Sequence, residues 1–279
     1  MKSYAYYNGT YGRRDEIRIP LSDRSIFFGD GIYDAAIGNG GRIFAEDEHI
    51  CRFLDNAEKL NIKHSYSHEL LSEIFKEVIK RSEIKSFFLY FQLSRGAEKR
   101  IHSAKKCTGA NLLITVEPFE LGDVNSPLSL VTAEDLRYYY CNIKTLNLLP
   151  SVIAASGADL LGCDEAVFHR GNTVTECSHS NVSIIKDGIL LTHPANNLIL
   201  PGITRKHLLL ACEALGILFR EEAFTLNTLF SADEILVTST TKLCRRASVI
   251  NGKEVGGKNQ EISAALCRYL EEEFIEFSK

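Results

Sequence analysis

Asn142-Ile143-Lys144-Thr145-Leu146-Asn147 is the stretch on which the reading of this chain turns. A lysine follows a strand-like run, and Ile143 and Leu146 are apolar neighbours consistent with its burial. Alone it says little, because a single lysine in a chain of 279 residues is nearly always a solvated surface charge. The weight comes from three downstream blocks and their order. Glu176 stands in Asn172-Thr173-Val174-Thr175-Glu176-Cys177-Ser178, a carboxylate leading into Ser178 and Asn181. Leu200-Pro201-Gly202-Ile203-Thr204-Arg205 and Val237-Thr238-Ser239-Thr240-Thr241 are then two turns bearing hydroxyls. Gly202-Ile203-Thr204 precedes a helical pattern, so its backbone N–H groups and the helix dipole suit an anion. Lysine, unlike arginine, can give up its proton when burial or nearby cations lower its pKa.

Composition bounds the rest. Hydrophobic residues make up 45% of the chain, and the formal net charge of −4 is spread without long blocks of one sign. That argues against a nucleic-acid partner or a polybasic membrane surface. The segment Met1-Lys2-Ser3-Tyr4-Ala5-Tyr6-Tyr7-Asn8 lacks the apolar core of a signal peptide, and no run approaches a membrane span. A cytoplasmic location is expected. The eight cysteines form no CxxC pair and fit no zinc spacing, so reduced thiols, several of them in the core, and no metal are expected.

Periodicity divides the chain. A hairpin is expected with Tyr11-Gly12-Arg13-Arg14-Asp15 between apolar stretches, and a turn at Gly40-Gly41 before a strand at Arg42-Ile43-Phe44. Helices are expected over 48–61 and through Leu70, Leu71, Ile74, Phe75, Val78 and Ile79, followed by strands over 86–94 and 110–116. Residues 1–118 therefore read as an α+β domain. Pro118 and Gly122 mark a linker over 119–124. Residues 125–279 read as an α/β domain, with strands over 128–132, 166–169 and 234–238 and a hairpin turning at Lys186-Asp187-Gly188. Helices are expected near Leu149-Pro150-Ser151, after Gly202, and from about Gln260.

Taken with Asp23-Arg24-Ser25-Ile26-Phe27-Phe28-Gly29-Asp30-Gly31-Ile32-Tyr33, Glu48-His49-Ile50-Cys51-Arg52 and Ser248-Val249-Ile250-Asn251-Gly252, these blocks make a chain that resembles, along nearly its whole length, the fold-type IV pyridoxal-phosphate enzymes. That family includes branched-chain aminotransferases, D-amino-acid aminotransferases and aminodeoxychorismate lyase. The wording Thr192-His193-Pro194-Ala195-Asn196-Asn197 is most similar to the D-amino-acid aminotransferases. The resemblance implies a two-domain fold, a smaller N-terminal α+β domain and a larger C-terminal α/β pseudo-barrel. It implies pyridoxal 5′-phosphate as cofactor, amino acids and 2-oxo acids as substrates, and a homodimer.

It also assigns roles. Lys144 would carry the cofactor as a Schiff base and then shuttle a proton in a ping-pong transamination. Glu176 would hold the proton on the pyridine nitrogen. Arg52, Ser178, Ile203, Thr204 and Thr240 would complete the cofactor site, with Arg52 clamping the phosphate. In Arg95-Gly96-Ala97-Glu98-Lys99-Arg100-Ile101-His102, the residues Arg100 and His102 would join Tyr33 in binding the substrate α-carboxylate, a suitable set of charge-assisted donors. This loop would complete the neighbouring subunit's site. The expected reaction is D-alanine with 2-oxoglutarate; the rivals are a branched-chain L-amino-acid aminotransferase, aminodeoxychorismate lyase, and a non-catalytic pyridoxal-binding protein.

The chain departs from the pattern in places. His179 stands where close relatives carry a small hydroxyl residue, and Lys242-Leu243-Cys244-Arg245-Arg246 is more basic than its counterpart. Arg245 or Arg246 could reach a second carboxylate of an acidic substrate, or lie on the surface. Tyr138-Tyr139-Tyr140 could line a side-chain pocket, though neighbours on a strand alternate faces.

Overall fold

The chain opens with a hairpin of β1 (Tyr4–Tyr7) and β2 (Thr10–Arg13) joined by Asn8 and Gly9, at φ of 44° and 89°. Asn and Gly enter the left-handed region at little cost, as a two-residue connection needs. The turn thus falls earlier than the Tyr11–Asp15 segment expected to carry it, and Tyr11–Arg13 are strand. The computed structural model describes residues 3–107 and 109–279. After α1 (Arg24–Phe28) come β3 (Gly31–Asn39), β4 (Arg42–Ile43), α2 (Glu46–Lys59), α3 (His68–Ser82), β5 (Ser86–Ser94) and β6 (Asn111–Pro118). The strands form one antiparallel sheet in the order β2-β1-β6-β5-β3-β4.

Alternation decides which face of this sheet is dry. Phe87, Leu89, Phe91 and Leu93 of β5 are fully buried, and the residues between them are not. Ile50, Phe53 and Ala57 of α2 and Leu71, Phe75, Val78 and Ile79 of α3 share their core. The Phe91 ring lies 4.9 Å from that of Phe53 and 4.6 Å from that of Phe75. Burying each such ring is worth about 1.5–3 kcal/mol.

The remaining elements are β7 (Leu128–Glu134), α4 (Leu149–Leu160), β8 (Glu165–Arg170), β9 (Thr173–Cys177), β10 (Asn181–Lys186) and β11 (Ile189–Thr192). They continue with α5 (Ile203–Leu215), β12 (Phe219–Glu221), α6 (Leu226–Ser231), β13 (Glu234–Ser239), β14 (Leu243–Ile250), β15 (Lys253–Glu254) and α7 (Gln260–Phe277). Their strands run β12-β11-β10-β13-β14-β7-β8-β9, with β15 beside β14. Pairings of β7 with β8 and β14, and of β11 with β12, are parallel; the others are antiparallel. The sheet curls. Val174 and Cys177 near one edge share a core with Val182, Ile184, Ile235 and Val237, closed by Phe224, Leu229 and Ala232. The other face packs on α5 and α7 through Leu208, Ala211, Cys212, Leu266, Cys267 and Leu270. Cys177, Cys212, Cys244 and Cys267 are buried core residues. Among the described residues no helix is long and apolar enough to cross a membrane.

The described residues form two compact units. One runs through Glu120 and takes in Ile143–Asn147 and Ser278; the other comprises Leu121–Asn142, Leu148–Phe277 and Lys279. The Lys144 strip is bound into the first unit by its backbone. Tyr33 N donates to Lys144 O at 2.9 Å, Leu146 N to Gly31 O at 3.1 Å, and Asn147 Nδ2 to Gly29 O at 2.9 Å. Ile143 joins the first core. The run before Lys144 is irregular rather than a strand, and Tyr138, Tyr139 and Tyr140 are all exposed, at 45%, 62% and 62%. Without a pleat, no alternation divides the three tyrosines between faces.

Gly31 is the residue that admits the strip. A Cβ there would sit 2.6 Å from Leu93 O and 2.8 Å from Leu146 Cδ1. Gly31→Ala is expected to destabilise the protein by about 1–3 kcal/mol through overpacking, read as a lower urea midpoint. An unchanged midpoint would show that the strip has room to move.

Candidate active site

Strand β3 puts Tyr33 and Asp34 on opposite faces. Tyr33 stacks on Tyr90 with ring centroids 5.5 Å apart, and the half-buried Lys144 places Nζ 4.3 Å from the Tyr33 ring centre. Asp34 points the other way and is fully buried. It accepts two hydrogen bonds from Arg52 at 2.8 Å each and meets His49 Nδ1 at 2.8 Å. His49 and Arg52 are one turn apart on α2, so one helix face supplies both partners. Burial raises the Asp34 pKa, but Arg52 and His49 outweigh it and hold the carboxyl well below its usual range. Burial lowers the His49 pKa against the pull of Asp34, with Arg52 and Lys144 adding to the depression. Sequence alone singles out Arg52 and passes over Asp34 and His49. A carboxylate at an inward position of an apolar strand is nonetheless a readable sign, since such a group needs partners.

Arg100 and His102 are exposed and gather around Phe28. The Arg100 guanidinium is 5.4 Å from the Phe28 ring centre and the His102 ring 5.3 Å from it. Their backbone is held from beneath by Arg24, a buried cation that donates to Ile101 O at 2.6 Å and to His102 O at 3.1 Å. Arg24 also stacks on Phe28 at 4.7 Å and pairs with Asp30 at 2.7 Å. Asp30 further accepts from Arg95. Among the described residues no hydrogen bond, ion pair or ring contact joins Tyr33 to Arg100 or His102 in this chain.

In the second unit, Glu176 is buried on β9 and held from both sides. Arg137 Nη1 donates to its Oε1; Asn181 Nδ2 and Leu200 N donate to Oε2 at 3.0 Å each. Arg137 is itself held by both oxygens of Asp135 at 2.9 Å, which also receives Arg170 and Thr175 Oγ1. Burial works against the Arg137 charge, but the Asp135 hydrogen bonds and the Glu176 charge raise its pKa. Asn181 Nδ2 also donates to Leu200 O at 2.9 Å, and a Cβ on Gly202 would come within 2.0 Å of Asn181 Oδ1. The seat of Glu176 and the start of α5 are thus built on one amide. Gly202 is the N-cap of α5 and has no side chain to cap it; Ile203 and Thr204 are buried in the first turn. Thr240 lies in the turn between β13 and β14.

Ser178 opens the connection between β9 and β10, with its Oγ 3.5 Å from Glu165. Glu165 has no exposed surface and meets His179, Ser180 and Lys242. Arg245 is engaged elsewhere, donating Nε and Nη2 to Ser126 O. The expected residues therefore fall into two groups. Lys144, Tyr33 and Arg52, with Arg100 and His102 on their own loop, belong to the first unit; Glu176, Ser178, Ile203, Thr204 and Thr240 belong to the second. Arg137, Asp135, Glu165 and Arg24, which hold these residues, are not singled out for these roles by the sequence.

Glu165 gives this site a pH signature. Burial raises its pKa, but hydrogen bonding and charge from His179 and Lys242 outweigh that and bring it from 4.5 to about 2. A carboxylate depressed on folding contributes stability above its unfolded pKa and loses it as pH falls through the folded value. Glu165→Gln is therefore expected to be less stable near neutrality and to lose less stability than the parent between pH 4.5 and about pH 2. Urea midpoints across that window test this; parallel curves would remove Glu165 from the acid response.

Comparison with known proteins fits this arrangement. Residues 31–250 match the family model described as amino-transferase class IV. The chain is 36% identical over 276 residues to a D-alanine aminotransferase of Staphylococcus haemolyticus, covering 95% of this chain and 97% of the relative. It is 37% identical to one of Listeria monocytogenes serovar 1/2a, covering 93% and 92%. Among solved structures, a branched-chain aminotransferase from the archaeon Thermoproteus uzoniensis, with norvaline, superposes with a TM-score of 0.88 at 22% identity, over 99% of this chain and 97% of that one. A T.th. branched-chain amino acid aminotransferase with pyridoxamine 5′-phosphate gives 0.90 at 22%, over 98% and 94%. These structural likenesses establish the two-domain type IV fold. With the family match spanning most of its length, the chain belongs to the class IV aminotransferases, enzymes that depend on pyridoxal 5′-phosphate.

Proposed function

We propose that this aminotransferase acts on D-amino acids, transferring the amino group of a donor such as D-alanine to 2-oxoglutarate, as a homodimer in the cytoplasm. The observation that carries the reading is the Arg100/His102 loop. Arg24 fixes its backbone from below, so a guanidinium and an imidazole stand side by side on Phe28. Such a pair suits a carboxylate. The two side chains are exposed, and among the described residues no hydrogen bond, ion pair or ring contact joins them to Tyr33 of their own chain, which fits a loop that serves a second copy. The relatives that are D-alanine aminotransferases add support.

The residues present fit the cofactor. The first-turn amides of α5 have no side-chain cap from Gly202, and Thr204 adds a hydroxyl there. Glu176 is a fixed carboxylate acceptor, braced by Arg137, Asn181 and Leu200 N. Ile203, Thr204 and Thr240 would hold the phosphate with Arg52, Ser178 would lie beside the ring, and Glu176 would hold the proton on the pyridine nitrogen. When bound, pyridoxal 5′-phosphate supplies an aldehyde that captures the amino group and a ring that takes up electrons from the α-carbon. Lys144 would be the amine that holds the cofactor and the base that would take the proton from the substrate α-carbon. Arg100, His102 and Tyr33 bind the α-carboxylate and so decide which enantiomer turns its α-hydrogen to Lys144.

Amino transfer to 2-oxoglutarate is measured from D-alanine and, separately, from L-leucine. D-selective formation of glutamate is expected. L-selective transfer would replace this reading with the branched-chain one, and catalytic release of pyruvate without an acceptor would replace it with the lyase. Lys144→Ala should abolish steady-state turnover while the protein still binds some cofactor. Arg100→Ala should raise KM for D-alanine by about ten-fold or more, the scale of losing one charged hydrogen bond, with cofactor retention unchanged. Loss of cofactor retention alone would remove Arg100 from the carboxylate trap.

A further inference from the structure

The two departures from the family pattern, His179 and Lys242, meet at one carboxylate. Glu165 is the first residue of β8 and has no exposed surface. Its Oε1 accepts from His179 N at 2.7 Å and meets His179 Nδ1, with Ser178 Oγ at 3.5 Å. Its Oε2 accepts from Ser180 Oγ at 2.9 Å and from Lys242 Nζ at 2.6 Å. Residues 178–180 connect β9 to β10. Residues 240–242 connect β13 to β14, and the Lys242 N–H closes that turn on Ser239 O and Oγ, both at 3.3 Å. One buried carboxylate therefore ties the 178–180 connection to the turn that carries Thr240.

We propose that Glu165 is the joint that positions the Thr240 turn for the cofactor phosphate, and that Lys242 is the positioning residue through which it acts. The inference deepens the phosphate-binding reading of Thr240 and rests on it. A turn between two strands is held firmly at its ends and loosely at its tip. Lys242, the residue that closes the turn, reaches across to an anion fixed on a different strand and so braces the Thr240 turn from outside its own hairpin; its side chain is only 17% exposed, so the bond is little screened. Glu165 cannot relax toward water when the lysine is lost, because it is enclosed and still held by His179 and Ser180. Donors to a phosphate work only when their positions are fixed to a fraction of an ångström. His179, with a side chain 56% exposed, meets the same oxygen through its ring and its backbone N–H.

The test titrates the full-length protein, stripped of cofactor, with pyridoxal 5′-phosphate and with pyridoxal, which lacks the phosphate, following absorbance and fluorescence. Lys242→Met should weaken the phosphorylated compound by about ten-fold, the usual effect of removing a group that orients a ligand, while pyridoxal binding stays as in the parent. Lys242→Arg should recover most of the loss. Equal weakening of both compounds would reveal general loosening and overturn the proposal, as would unchanged binding of both. Thr240→Ala separates the two ideas. If it weakens the phosphorylated compound and Lys242→Met does not, the positioning role alone falls. If it has no effect, the phosphate role of the turn falls and takes the joint with it. Should Lys242→Met not fold, the double variant Glu165→Gln, Lys242→Met removes the stranded charge and is read by the same ratio.

Discussion

A carboxylate taken out of water must be met by donors and cations, and the second unit is organised by that demand. Glu176 draws in Arg137, Asn181 and the Leu200 amide. Arg137, once buried, draws in Asp135, and Asp135 draws in Arg170 and Thr175. Networks of this kind add little net stability compared with apolar residues of equal volume, because desolvation offsets most of the attraction. What they supply is geometry. Each member has few acceptable positions, so the first carboxylate has few as well. Asn181 extends the constraint to the backbone beside Gly202, so Glu176 and the first turn of α5 are set by one side chain.

The first unit uses the same physics in a different place. Asp34 anchors Arg52 and His49 beneath the sheet, while its neighbour Tyr33 meets Lys144 on the other side. Arg24 supports the loop of Arg100 and His102 through the carbonyls of Ile101 and His102, not through the Arg100 and His102 side chains. That leaves guanidinium and imidazole uncommitted to the scaffold. A loop held by its backbone can present a charged surface without spending that charge on its own anchoring.

Much of this is legible in the sequence, and the limits have physical causes. Long periodic segments such as Ser86–Ser94 and His68–Ser82 announce themselves because one face must be apolar. The first hairpin turns earlier than expected because Asn8-Gly9 is a stronger turn than the basic segment after it. The three tyrosines before Lys144 carry strand-like chemistry, yet no neighbouring strand takes up their backbone. Lys144 and Glu176 stand out by their wording and order. Arg137, Asp135 and Glu165 escape notice as supports because a charged residue reads the same on a surface and in a network. Only the pairing across 39 residues between Arg137 and Glu176, or across 77 between Glu165 and Lys242, distinguishes the two.

The five residues Ile143–Asn147 sit between segments of the second unit in sequence yet belong to the first in space. Biosynthesis must respect that order. As the chain leaves the ribosome, the first sheet and its three helices are all present once residue 118 has emerged, but its edge at Gly31 and Tyr33 stays unfilled until residue 147 emerges in turn. The nascent unit must wait for a strip made after the second unit has begun. Neither unit is a contiguous stretch that could be cut out whole, and a break in the chain between them would take Lys144 from the unit that holds it.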